Sequence, residues 1–149
     1  MTADDPETAT ITANCARVRA RIAGLCREHG REPDGVHLIA VSKREGPAVL
    51  PALRAAGIAT CGENRIDHLM LMHRHAPEGI GFAYVGRVQS RQLGKLLPLC
   101  DAIHSLCQRS HIDRLGRACA EQERRITVFL QVNTAGEAQW GRSNTTGDG

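Results

Sequence analysis

Aromatic side chains are scarce in this chain: one Trp, one Tyr and two Phe in 149 residues. A core built from this sequence must therefore be aliphatic. Lysine is scarcer still, occurring only at Lys43 and Lys95, so nearly all the positive charge is arginine. The formal net charge is +3, without the clustered basic residues and stacking aromatics that nucleic-acid binding requires. No apolar run is long enough for a membrane span, and the opening MTADDPETAT has neither a basic n-region nor an apolar h-region. No C-x-x-C pair occurs among Cys15, Cys26, Cys61, Cys100, Cys107 and Cys119. This usage reads as six reduced thiols acting as small hydrophobes in a cytosolic protein, hence a cytoplasmic location with neither nucleic acid nor membrane as partner.

Hydrophobic residues nevertheless make up 42% of the chain and charged residues 23%, enough for one folded domain of ordinary size. Ile11, Cys15, Val18, Ile22 and Leu25 recur at helical spacing, predicting a long N-terminal helix that Gly30 and Pro33 end. Short apolar runs follow at 37–41, 58–61, 81–86, 102–106 and 126–132, the pattern of buried parallel strands. Between them, 47–56, 65–75 and 110–121 have helical texture. Gly57 would close the first of these helices, Asn64 would cap the second and Ser110 the third. Pro51 predicts that the 47–56 helix kinks or starts late.

This strict alternation implies right-handed crossovers and a parallel sheet, either doubly wound or a (β/α)8 barrel. The loop after the first strand reads Ser42-Lys43-Arg44-Glu45-Gly46, with neither G-x-G-x-x-G nor a Walker pattern, which counts against a nucleotide-binding doubly wound form.

Polar residues follow every apolar run. Lys43 follows the first, with the strand parity of Ile39 and Val41. At the C-terminal rim of a barrel, partial desolvation would favour its neutral amine, the nucleophile that condenses with an aldehyde. The alternative is a rim lysine paired with a carboxylate such as Glu63. The second strand ends in Gly62-Glu63-Asn64. The third ends at Gly86, where backbone could approach a ligand, and Gln89 follows as a hydrogen-bond donor. The fourth carries His104, and the fifth ends in Gln131-Val132-Asn133. His68, His73 and His75 with Cys61 lack a standard metal-ligand spacing. Cys107 with His104 or His111 has nothing to orient a base.

Taken together, LIAVSK at 38–43, GEN at 62–64, YVGRVQS at 84–90, IHSL at 103–106 and LQVNTAGE at 130–137 resemble the pyridoxal phosphate homeostasis family. These are single-domain barrels related to the N-terminal domain of alanine racemase, and order and spacing match from about residue 8 to about residue 137. The resemblance implies pyridoxal 5′-phosphate (PLP) bound as a Schiff base on Lys43. It implies a cytoplasmic PLP-binding protein with no settled catalytic activity, and places Asn64 and Asn133 around the cofactor. Gly86, Gln89 and His104 complete the expected cofactor-binding set.

The sequence departs from the family at Ala83, Arg91 and Gln92, and Gly136-Glu137-Ala138-Gln139 lacks the lysine usual in that stretch. The expectation is thus a partial (β/α)8 TIM-type barrel of about five strands over residues 1–139, with an irregular tail over 140–149 and a frameshift or premature stop after about Gln139. The phosphate-gripping loops after strands seven and eight would then be missing. An inner face including Ile39, Val41, Tyr84 and Val128 or Phe129 would lose its opposite wall, and the chain would self-associate where full-length relatives are monomeric. Two rival readings are an amino-acid racemase, which needs a second acid/base from another domain, and an inert truncated remnant.

Overall fold

The computed structural model describes residues 6–132 and 134. The expected tail over 140–149 and Asn133 lie outside the described residues.

An N-terminal helix α1 (Pro6–Glu28) precedes five β-strands with helices between them. The strands are β1 (Ile39–Val41), β2 (Thr60–Glu63), β3 (Gly81–Tyr84), β4 (Ala102–Leu106) and β5 (Thr127–Leu130). The intervening helices are α2 (Leu50–Ala55), α3 (Ile66–Arg74), α4 (Leu93–Leu96) and α5 (Arg109–Glu121). All strand pairs are parallel and the order is β1-β2-β3-β4-β5, so each crossover returns to the adjacent position. This is the sheet of a partial (β/α) barrel, the one of the two architectures left open by the alternation that the family resemblance implies.

Local chemistry explains the boundaries. Gly30, at φ +63°, follows the end of α1, where the Arg31 N–H donates to the Cys26 carbonyl at 2.8 Å. Gly57, at φ +77°, closes α2 in the same way, with the Ile58 N–H donating to the Leu53 carbonyl at 2.9 Å. The tension at Pro51 resolves as a late start: Pro47–Val49 form a 3-10 turn and α2 begins at Leu50, so Pro51 sits in its first turn, where no N–H is needed. Two expected caps are not made. Arg65 is the N-cap of α3 and Gln108 that of α5, neither with a side-chain cap bond.

The core lies between the sheet and the helices. Cys61, Phe82, Tyr84, Ile103 and Leu106 pack on Leu50, Leu53, Leu69, Met72, Leu93 and Leu96. Cys61 and Cys100 behave as small hydrophobes here, burial pushing both thiols up to about 11. Tyr84 departs from its expected inner-face position. Register pairs it with Glu63 and Ile103, and it is 2% exposed in the helix-side core. Phe82, Ala83 and Tyr84 are all buried, so a run apolar on both parities does not tell which parity faces the helices.

The opposite face carries Ile39, Val41 and Val85 around Gly62, where a Cβ would meet their methyls at 3.2–3.5 Å. His104 stacks on Phe129 with ring centroids 4.3 Å apart. Val41 is 54% exposed and Phe129 50%. The first strand is therefore covered by described residues on one face only, not on both.

His111 gives the fold a pH dependence. It is buried, Ser90 Oγ lies 2.9 Å from its Nε2, and its Nδ1 has no partner among the described residues. Burial, then the nearby Arg114 and Arg87 charges, lower its pKa below the ordinary 6.5. The unfolded chain therefore takes up this proton at higher pH than the folded one, and stability is lost as pH falls below about 6.5. Urea unfolding between pH 7.5 and 5.5 should show that loss, and His111→Leu should flatten it. An equal slope in both proteins would refute the assignment.

Candidate functional site

The C-terminal ends of β1, β2 and β3 build a continuous rim. β1 stops at Val41, and Ser42 extends the ladder by donating its N–H to the Gly62 carbonyl at 3.2 Å. The chain then turns, the Glu45 N–H donating to the Ser42 carbonyl at 2.9 Å. Lys43 stands on this turn, exposed, and has no ion pair or side-chain hydrogen bond to any described residue. Its expected desolvation is not supplied by the described residues, because Lys43 stands exposed on the turn beyond the strand end.

Lys43 lines an open depression of about 360 Å³ with Arg65, Asp67, His68 and Leu71. Arg65 grips Asp67 through two hydrogen bonds, Nε to Oδ1 at 3.1 Å and Nη2 to Oδ2 at 2.6 Å. These bonds hold the Asp67 carboxyl down at about 2. The carboxylate that could have paired with Lys43 is engaged elsewhere. Glu63 is fully buried, accepts from Ser42 Oγ at 2.6 Å, and lies 2.6 Å from His68 Nδ1. The three histidines of the helical stretch go to three different partners: His68 to Glu63, His73 against the Phe82 ring, and His75 to the Leu71 carbonyl.

Asn64 and Gly86 meet one strand further along. A Cβ on Gly86 would lie 2.1 Å from the Asn64 carbonyl oxygen, so glycine is what lets β3 pass so close. The same carbonyl accepts the Tyr84 hydroxyl at 3.1 Å, and Ser105 Oγ donates to the Gly86 carbonyl. Asn64 thus contributes its backbone here rather than a cap. Gln89 is exposed and precedes a 3-10 turn, and His104 lies on the sheet face against Phe129. Neither shares the depression that Lys43 lines. Sequence reasoning missed Arg65 and Asp67, and gave Ser42, Glu63 and His68 no joint role. The one available signal was a glutamate at a strand end with a histidine five residues on, after a serine beside the rim lysine.

A parallel sheet in sequential strand order with helices between the strands places the chain in the (β/α)-barrel class, as a partial barrel. No protein-family model matches the chain. Its relatives are more specific. It is 32% identical over 136 residues to the pyridoxal phosphate homeostasis protein of Pseudomonas aeruginosa, covering 87% of this chain and 56% of that protein. The Escherichia coli protein of the same name is 28% identical, with 85% and 56% covered. Among solved structures, PipY of Synechococcus elongatus with PLP bound superposes with a TM-score of 0.68 at 31% identity, over 80% of this chain and 58% of that one. The chain is similar to proteins of the pyridoxal phosphate homeostasis family and spans a little over half the length of the curated relatives it matches.

Proposed function

We propose that this chain is a PLP-binding protein of the homeostasis type, with Lys43 as the residue that carries the cofactor. The observation that bears most weight is Lys43 itself: an accessible amine, unpaired among the described residues, at the C-terminal end of β1 in a fold whose neighbour PipY is solved with PLP. The residues present fit the group. An unpaired lysine amine can attack an aldehyde, and the depression beside it has room for a small ring. When bound, the cofactor supplies an aldehyde for covalent attachment and an electron-withdrawing ring.

The chain's own contribution is placement. The turn presents Lys43, the Arg65–Asp67 pair borders the depression, and the close contact of Asn64 with Gly86 fixes the adjoining rim. Gln89 and His104 belong to the proposed set as rim and sheet-face residues, and Asn133, outside the described residues, on its place in the sequence after the fifth apolar run.

With two lysines in the chain, the test is direct. Incubation with PLP, borohydride reduction and peptide mapping should place the pyridoxyl group on Lys43. Labelling confined to Lys95, or equal at both, would overturn the assignment.

A further inference from the structure

We infer that Glu63 and His68 are positioning residues for Lys43, clamping both ends of the turn that carries it. The inference deepens the PLP-binding reading, but its geometric half stands apart from it. At the start of the turn, the Ser42 hydroxyl donates to Glu63 Oε1 at 2.6 Å. At its end, the Glu45 carbonyl lies 3.0 Å from His68 Nε2. The ring closes between them, where His68 Nδ1 lies 2.6 Å from Glu63 Oε2. Lys43 and Arg44 are the only residues between the two clamped points. The anchor is rigid, since Glu63 is fully buried on β2, its carbonyl accepts the Val85 N–H at 2.8 Å, and His68 is held on α3.

The donors and acceptors fix most of the protons. A carbonyl oxygen can only accept, so His68 Nε2 carries hydrogen and donates to Glu45. One further proton lies between Nδ1 and Oε2. Placed on nitrogen it gives imidazolium and carboxylate, placed on oxygen imidazole and carboxylic acid. The pair is neutral overall in both forms, which is how a carboxyl group is buried here at low cost. The clamp therefore keeps its shape wherever that proton sits. Glutamine at 63 can reproduce it, with its amide oxygen accepting from Ser42 and its NH2 donating to Nδ1. Leucine at 68 cannot, because the link to Glu45 disappears.

The test reads the turn in two ways. Hydrogen exchange of the peptide spanning 42–46 should accelerate about tenfold in His68→Leu, in line with loss of one hydrogen bond, and stay near wild type in Glu63→Gln. The rate of PLP and borohydride labelling at Lys43, referred to Lys95 in the same molecule, should fall in His68→Leu and recover in Glu63→Gln. Should the buried carboxylate left by His68→Leu prevent folding, the double variant Glu63→Leu with His68→Leu leaves no unpaired charge and should show the same two losses. Unchanged exchange over 42–46 in the folded leucine variants would overturn the clamp. Unchanged relative labelling would overturn its bearing on Lys43. A wild type without preference for Lys43 would instead overturn the PLP reading, leaving exchange to decide the clamp.

Discussion

Replacing Phe82 by alanine should cost about 3–5 kcal/mol, the range for truncating a fully buried aromatic. Phe82 is 1% exposed, the largest fully buried side chain among the described residues, and its ring packs 5.9 Å from that of His73 on α3. In an aliphatic core with few rings, no neighbour has the volume to fill the hole. Since folded domains rest on about 5–15 kcal/mol in all, this one change should remove a large part of the margin. Its effect should reach the rim, because Phe82 lies two residues before Tyr84, whose hydroxyl holds the Asn64 carbonyl. Urea unfolding gives the free energy, and hydrogen exchange at Asn64–Arg65 reports the rim. A loss under about 1 kcal/mol would mean that the sheet and helices are not packed as described.

Much of this architecture was legible from periodicity. The apolar runs at 102–106 and 81–86 became β4 and β3, and Gly30 and Gly57 marked helix ends because their positive φ is cheap only for glycine. Registers and faces were less legible. A run that is apolar on both parities, as Phe82-Ala83-Tyr84 is, does not say which of its faces meets the helices, which is how Tyr84 came to be expected opposite its actual place. Caps failed for a related reason. Asn64 and Ser110 have capping chemistry, but each stands one or two positions from the residue with non-helical backbone.

The site was legible as separate residues, not as an arrangement. Lys43 stood out because lysine is so rare here, and its place at the end of β1 follows from the strand pattern. What its neighbours do depends on contacts between positions about twenty residues apart, as between Ser42 and Glu63. Local sequence carries no sign of which acid a serine will meet across a parallel pair. The carboxylate that looked free to pair with Lys43 was already taken by Ser42 and His68.

The same limit applies to Gly86, and it yields the sharpest contrast available. Gly86→Ala should destabilise the chain by about 3 kcal/mol, at the upper end of the range for overpacking. The added carbon would lie 2.1 Å from the Asn64 carbonyl oxygen and 2.7 Å from the Asn64 Cα and carbonyl carbon. These are backbone atoms, so no rotamer change relieves the clash. That carbonyl also accepts the Tyr84 hydroxyl, and the Gly86 carbonyl accepts from Ser105, so neither strand can withdraw without losing a hydrogen bond. Gly116→Ala is chemically the same change with the opposite expected sign. It lies within α5 with no atom within 4 Å of its added carbon, and alanine there should stabilise by about 1 kcal/mol. Denaturant unfolding of the two variants beside wild type checks both signs. If Gly86→Ala unfolds within about 0.5 kcal/mol of wild type, the close approach of β3 to Asn64 is not present, and the rim beside Lys43 is more open than described.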